Sequence, residues 1–369
     1  MKVTLVEPFY GGSHKQWADE IMENLPFDFS LISLPPKWWM WRMYGGAVTL
    51  AKRCKELGQK QDLFIASSMM DVSTFLALCG QSQTPLLLYF HENQFAYPIR
   101  KVKEGKDEER AYRFINYTSA LAATKVAFNS QYNYDTFFSG LEKMLKTFPD
   151  YRNMDTIDQI KKKSIVLPLG FDFTNRFPET VEKRTPEKVP VIVWNHRWEH
   201  DKNPKEFFET LEEVTSLGYK FRLIVAGHKY PKVPKEFDKA QQTFQEQIIH
   251  WGFAETDQYS KLLSEGDILP ITSNQDFFGI SVVEAIFAGC FPLLPRRLAY
   301  PEIIPPEDFP ECYYDNLTDA LTSLLKKFNS PQTETLETMK RLQNHLLKYE
   351  WKNLKDNYVK IFSDTANNK

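Results

Sequence analysis

"ITSNQDFFGISVVEAIFAGCFPLLP", Ile271 to Pro295, sets Asp276 and Glu284 eight positions apart, with an aromatic–glycine turn between them and an apolar run behind them. A helix that starts near Gly279 leaves Asp276 in the loop and carries Glu284 about one and a half turns inside. The amides of Phe278, Gly279 and Ile280 then point at whatever occupies the helix N-terminus. A carboxylate accepts hydrogen bonds from paired hydroxyls, so one acid suits a ribose diol and the other a sugar. Two solvated acids are the ordinary alternative. That alternative fits Glu284 poorly, because "SVVEAIFAG" is almost wholly apolar and a buried acid there needs a hydrogen-bonding partner. "CFPLLP" closes the stretch as a short buried strand, which makes the segment loop, helix, strand.

The same alternation runs outward in both directions. "VPVIVW", "FRLIVAG", "IIHWGF" and "GDILPIT" precede it as short apolar runs, with a helix expected from about Pro204. Earlier, "KVTLVE", "FDFSLISL", "DLFIAS", "PLLLYF" and "KVAFNS" alternate with helical patterns such as "EERAYRFINYTSALAAT". Uniformly apolar runs of four to eight residues are the pattern of buried parallel strands, and βαβ alternation predicts doubly wound sheets. The charged, proline-bracketed segment from Pro178 to Pro190 reads as a linker. The expected domains are therefore 1–178 and 190–345, followed by a closing helix over 346–369. On that helix Trp351, Leu354, Tyr358 and Ile361 form one stripe. The two α/β halves are expected to face each other across a cleft.

Bulk properties exclude several classes. At 369 residues the chain exceeds one ordinary core. A net charge of -2 supplies no global field to draw it onto a polyanion, so any such partner needs a local patch. Cys54, Cys79, Cys290 and Cys312 lack metal-ligand spacing, which argues against a zinc site or disulfide framework and suits a reducing cytoplasm. No apolar stretch approaches transmembrane length, and the N-terminus reads as a strand rather than a signal peptide.

Three further motifs carry chemistry. In "PFYGGSHKQW", Gly11 and Gly12 let the backbone turn sharply and approach a ligand, while Ser13 is placed to cap the next helix. A strand–helix turn with no ligand would look the same. "YFHENQFAYP" sets His91, Glu92, Asn93 and Gln94 in a row at a strand's carboxyl end, where ligands of open α/β sheets sit. "WNHRWEHDKNP" holds Arg197 and Lys202 between a strand and a helix. Two fixed cations there suit a departing diphosphate, and Trp194 and Trp198 beside them argue against a simply solvated loop.

Together these segments resemble the retaining GT-B glycosyltransferases of the large family that includes glycogen and sucrose synthases. The resemblance rests on the glycine loop, the Arg…Lys pair, the E-x7-E element (Asp276 here replaces the first Glu) and the final helix. It implies a GT-B fold: two Rossmann-like domains facing across a cleft, the C-terminal helix crossing back to the first domain. "YGGSHKQW", "LPPKWWMWR", "YFHENQFAYP", "HRWEHDKNP", "HWGF" and "YPEI" resemble more closely the tRNA-queuosine mannosyltransferase family. That family transfers mannose from GDP-mannose to the cyclopentene diol of queuosine, at the wobble position of aspartate tRNA.

The resemblance implies roles for named residues. Arg197 and Lys202 would hold the diphosphate, Glu284 the ribose, and Asp276 with the amides of Phe278 and Gly279 the sugar. Gly12, Gly227, Ile280 and Trp251 would border the donor, with the guanine tucked by the last. His91 would lie beside the anomeric carbon, and transfer would be a same-face displacement without metal or cofactor.

Acceptor recognition would fall to the first domain. Trp38, Trp39 and Trp41 beside Lys37 and Arg42 suit splayed anticodon bases and their phosphates, although a hydrophobic plug has the same composition. Tyr10, Ser13, His14, Asn93 and Gln94 would add acceptor contacts. The basic runs Arg100 to Lys106 and Lys161 to Lys163 would hold tRNA phosphates. No membrane and no obligate protein partner is expected. Two rival readings remain open: a cytoplasmic GT-B enzyme with another sugar nucleotide and a glycan, lipid or small-molecule acceptor, and an inactive sugar-nucleotide or RNA-binding protein.

Overall fold

In a computed structural model of the chain, the first five apolar runs form β1 (Lys2–Glu7), β2 (Asp28–Ser33), β3 (Leu63–Ser67), β4 (Leu86–Phe90) and β5 (Lys125–Phe128), and "SIV" forms β6 (Ser164–Val166). They pair in parallel in the order β2-β1-β3-β4-β5-β6. β3 and β4 are buried along their whole length, which is why "LFIAS" and "LLLYF" show no alternation. A second parallel sheet contains β7 (Val191–Trp194), β8 (Arg222–Ala226), β9 (Ile248–Gly252), β10 (Ile268–Pro270), β11 (Phe291–Pro295) and β12 (Tyr313–Tyr314). Its order is β12-β11-β10-β7-β8-β9. The structure describes residues 1–97, 106–177, 189–229, 233–328 and 333–368. Most of the expected linker, 178–188, and residues 100–105 of the first basic run lie outside them.

The residues divide into two units, Met1–Phe171 with Tyr349–Lys369, and Asp172–Lys348. Sequence reading put the division within 178–190 and the return at 346; contacts put it at Phe171 and at Tyr349. Each sheet has one place where successive strands turn away from each other: β1 against β3 in the first, β7 against β10 in the second. In open parallel sheets the loops at the carboxyl ends part there and leave a crevice for ligands. Both glycine-rich turns singled out above fall at these two places.

The first unit is completed by its last helix, Trp351–Asn367. Phe171 N–H donates to Tyr349 O at 2.9 Å and Trp351 N–H donates to Phe171 O at 3.0 Å, so the chain re-enters by a short parallel bridge. The buried stripe is Trp351, Leu354, Tyr358, Phe362 and Thr365; Ile361, expected in it, is only half-buried, and Phe362 takes the inward place. Trp351 Nε1 donates to the buried Glu20 Oε2 at 2.8 Å, and Tyr358 Oη donates to Pro168 O at 2.7 Å. All four cysteines are buried and free.

Trp351→Ala removes that ring, its contact with Tyr358 and the Glu20 hydrogen bond. It is expected to destabilise the first unit by about 3–5 kcal/mol. Denaturant unfolding followed by fluorescence reads this, and Trp351→Phe should fall between variant and wild type.

Candidate functional site

At the β7/β10 switch of the second unit, two loops are stapled by Lys202. Its side chain is almost buried, and Nζ donates to Gln275 O at 2.7 Å and lies 3.5 Å from Asp276 Oδ2. Thr272 Oγ1 donates to Lys202 O at 2.9 Å, and Asn274 N–H donates to Asp201 O at 2.7 Å. The helix Ile280–Phe287 follows Gly279, whose φ of 89° only glycine adopts without strain. Asp276 Oδ1 accepts the Gly279 N–H at 2.9 Å and Oδ2 accepts Tyr300 Oη at 3.2 Å. Burial pushes the Asp276 carboxyl up, but the Lys202 charge and these donors outweigh it and hold it below its ordinary range. The Gly279 amide, expected to face a ligand, is therefore occupied by the Asp276 carboxylate, which closes the turn ahead of the helix, while no side chain caps the helix itself.

Glu284 is buried, as "SVVEAIFAG" requires. Its Oε1 is 2.8 Å from Arg176 Nη1 and its Oε2 accepts Tyr259 Oη at 3.1 Å. Neither partner was legible in sequence, since Arg176 lies 108 positions away. Asn195 Nδ2 donates to Ser281 O at 2.7 Å and to Tyr259 Oη at 3.2 Å. A cavity of about 170 Å³ in this unit is lined by Asn195, His196, Arg197, Gly227, Phe253 and Tyr259, among others. Gly227 is required there: a Cβ would sit 2.0 Å from His196 O. Trp251 does not line this cavity. Its ring packs at 5.4 Å from Trp198 and 6.0 Å from Phe208, while the strand ends at Gly252, whose φ is 131°, and exposed Phe253 beyond it lines the cavity.

Arg197 differs from its expected setting too. Trp194 and Trp198 are buried, while the Arg197 side chain is 45% exposed with Nη1 3.3 Å from Glu199. The tryptophans therefore bury themselves and leave the guanidinium outside, at the cavity wall. His196, which sequence reading passed over, is pushed down to about 3, first by burial and then by Lys202, so its ring is neutral. Its Nδ1 lies 3.0 Å from Ser281 Oγ, and its buried Nε2 has no partner among the described residues.

In the first unit, the helix Gly12–Asn24 starts two residues earlier than expected. Gly11 is its N-cap and Gly12 has a φ of 54°, so Ser13 is exposed inside the first turn and caps nothing. Tyr10 Oη donates to Asp19. His14 is buried with Nδ1 3.3 Å from Glu7 Oε1 and Nε2 3.5 Å from Glu92 Oε2. Burial alone lowers its pKa, yet Glu7 and Glu92 outweigh that and hold it at about 10. His91 packs 4.2 Å from the His14 ring and edge-on to Trp17 at 4.6 Å. Burial and the His14 charge hold His91 well below its ordinary value, so it is neutral. The "HENQ" row therefore splits. Asn93, expected at an acceptor, is fully buried: Nδ2 donates to Asn133 Oδ1 at 2.8 Å, and Oδ1 accepts Phe95 and Ala96 amides at 2.9 and 3.0 Å. Gln94 is also buried, held by its backbone to Asn116 and Arg113.

Of the tryptophan loop, Trp38 and Trp41 are 78% and 63% exposed, with Met40 and Tyr44 exposed beside them. Trp39 is half-buried against Tyr112 and Tyr97, so one ring anchors and two project. Lys37 is exposed, while Arg42 is tied back to Pro35 O at 3.2 Å. Lys161 and Lys162 are exposed, but Lys163 turns inward to Leu121 O at 2.6 Å and is lowered to about 8 by burial, which removes it from any phosphate-binding run. Glu7, His14 and His91 place donor atoms within 4.8 Å of one another, a set that suits a divalent metal. The proton that His14 shares with two carboxylates opposes it.

Comparisons with known proteins agree with this architecture. A family described as tRNA-queuosine alpha-mannosyltransferase N-terminal matches residues 2–171, and Glycosyl transferases group 1 matches residues 176–341. A tRNA-queuosine alpha-mannosyltransferase from Drosophila melanogaster is 36% identical over 337 residues, 88% of this chain and 86% of that protein. A UDP-forming α,α-trehalose-phosphate synthase from Burkholderia xenovorans matches with a TM-score of 0.68 at 12% identity, over 99% of each chain. A sucrose-phosphate synthase from Thermosynechococcus elongatus gives 0.68 at 11% identity, over 99% of this chain and 98% of that one. The fold is GT-B.

The folded His14 value lies above its unfolded value of 6.5, so its ion pairs stabilise fully below about pH 6.5 and are lost as pH rises toward about 10. The stability difference between wild type and His14→Gln should be largest at pH 6 and shrink steadily to pH 10 in denaturant titrations. A difference that grew with pH would refute the ion-pair assignment.

Proposed function

The chain belongs to the tRNA-queuosine alpha-mannosyltransferase family, and from that premise we propose that it transfers mannose from GDP-mannose, with retention, to the cyclopentene diol of queuosine at the wobble position of aspartate tRNA. The observation that carries the donor half is the Lys202–Asp276–Gly279 arrangement. A buried cation and a helix N-terminus without a side-chain cap lie together at the β7/β10 switch, where an open parallel sheet takes its ligand. The cavity beside it, walled by Arg197, Gly227 and Phe253, offers an aromatic face for a base and a guanidinium for phosphate.

In the proposed step the bond from the anomeric carbon to the diphosphate oxygen breaks and a bond to an acceptor hydroxyl oxygen forms on the same face. The hydroxyl proton passes to the departing diphosphate. Arg197 and Lys202 stabilise the charge that gathers on that group, which is where fixed cations lower a barrier. Glu284 takes the ribose hydroxyls, with Tyr259 and Arg176 sharing its charge. Asp276 takes a sugar hydroxyl through the oxygen facing Lys202 and Tyr300. His91, neutral, hydrogen-bonds a sugar hydroxyl. No metal or cofactor enters this scheme. On the acceptor side, the projecting rings of Trp38 and Trp41 beside Lys37 suit stacking with splayed anticodon bases.

Purified protein incubated with GDP-mannose and queuosine-containing tRNA should add a hexose to queuosine, read by mass after digestion to nucleosides. Lys202→Met keeps the stem's volume and removes the charge; it should lower the melting temperature, because Asp276 loses its counter-ion, and lower transfer by at least about 100-fold even when assayed well below the variant's own transition. Hydrolysis of GDP-mannose without a hexose on queuosine would keep the donor reading and discard this acceptor.

Trp38→Ala with Trp41→Ala should raise KM for tRNA by about 10-fold or more, with stability nearly unchanged because both rings are exposed. An equal rise for GDP-mannose, with a lowered melting temperature, would make the loop a structural plug.

A further inference from the structure

Four titratable side chains meet at the β1/β3 switch of the first unit, and their charges do not balance. His14 offers its two N–H groups to Glu7 and Glu92, at 3.3 and 3.5 Å. Two carboxylates thus share one imidazolium, which leaves one negative charge in excess. Among the described residues neither acid pairs with a lysine or arginine. Each also keeps one buried oxygen without a partner: Glu7 Oε2 and Glu92 Oε1. The neighbouring His91 Nε2 is buried and unpartnered as well. Glu7 is fully buried and His91 is 7% exposed, so bulk water does not supply what is missing. Buried acceptors left unpaired beside an uncompensated charge are costly, and a bound cation removes both costs together.

Ser68 Oγ donates to Glu92 O at 3.0 Å and Asn129 Nδ2 donates to His91 O at 2.8 Å, so the loop after β4 is held rigidly by its backbone. Phe9 N–H donates to Glu7 Oε1 at 2.8 Å, which fixes that carboxylate in turn. The site is therefore preformed, and the tethers that orient it come from the loops that follow three different strands of the sheet.

We propose that Glu92, backed by the Glu7–His14 pair, is a cation-recognition site for the acceptor, and that it takes a secondary ammonium group. The proposal rests on the queuosine reading above, because queuosine joins its cyclopentene diol to the base through a secondary amine. That amine carries a positive charge at neutral pH and lies next to the hydroxyls that receive the sugar. A carboxylate aimed at it reads the feature that separates this nucleoside from an unmodified guanosine. An ammonium fits this set better than a metal does, because a metal on Glu7, His14 and His91 would have to displace the proton that His14 shares with both acids.

The test uses the full-length protein and three acceptors: queuosine-containing tRNA, the same tRNA methylated at that amine, and the same tRNA acylated there. Methylation keeps the charge and acylation removes it. Wild type should retain transfer within a few-fold on methylation and lose about 10- to 100-fold in kcat/KM on acylation, mostly through KM. Glu92→Gln should lower kcat/KM for the natural acceptor by a similar factor and lose the discrimination between the two modified ones, whereas Glu92→Asp should keep it. The wild-type comparison stands whatever the variants do to folding.

Equal losses on methylation and acylation, or undiminished discrimination in Glu92→Gln, would overturn the site. Transfer abolished by a chelator and restored by Zn²⁺ or Mn²⁺ in wild type but not in His14→Gln would give the cluster to a metal and overturn it too. No transfer to any queuosine-containing tRNA would instead overturn the functional reading and this site with it.

Discussion

The ammonium of Lys202 joins the two loops that meet at the centre of the second sheet. It donates to the backbone of Gln275, faces Asp276, and has its own carbonyl held by Thr272. Without that charge, Asp276 would be an acid with only neutral donors, and the carboxylate on Gly279 would lose its counter-ion. A cation buried among carbonyl and carboxylate oxygens is costly to desolvate and gains only when its partners are fixed. The αL turn at Gly279 fixes them: the Asp276 carboxylate accepts the Gly279 amide just ahead of the helix. The proposed diphosphate site thus depends on a backbone conformation that only one residue type adopts easily.

The first unit meets the same constraint with a different charge. There an imidazolium lies between two carboxylates, at the corresponding place where neighbouring strands diverge. Its field keeps the adjacent His91 neutral. A neutral imidazole both donates and accepts, whereas an imidazolium only donates, so His14 sets which hydrogen bonds His91 offers. In each sheet Lys202 and His14 are bonded to the loops around them, and several buried polar atoms near the switch point, among others elsewhere in the fold, have no partner among the described residues. His196 Nε2, Asn195 Oδ1 and Gln275 Nε2 in the second unit match His91 Nε2, Glu7 Oε2 and Glu92 Oε1 in the first. This distribution is what preorganisation requires: the supporting bonds are made before a ligand arrives, and the outward ones wait for it.

Much of the candidate site was legible in particular residues. Glu284 announced its burial by its apolar neighbours, and Gly279 its turn by lying between an aromatic pair and a helical run. Other readings failed for physical reasons. Asn93 looked like a ligand contact because it follows His91 and Glu92, but the chain bends after Glu92 and its side chain ties the loop to Asn133. Trp251 belongs to a recognisable motif, yet its ring packs on Trp198, and the strand ends at Gly252, whose φ of 131° redirects the chain so that Phe253 lines the cavity. Lys163 was counted in a basic run, although its ammonium is spent on backbone carbonyls.

Sequence alone determined the strand and helix alternation, the two-unit organisation and the kinship, because those depend on local periodicity and on motifs that stay contiguous. It also marked which segments lie at the carboxyl ends of strands, since each directly follows a short apolar run. Only the tertiary structure decided which charges meet. Arg176 reaches Glu284 and Glu92 reaches His14 across long stretches of chain, and Coulomb interactions depend on distance in space and on burial, neither of which is written in sequence spacing.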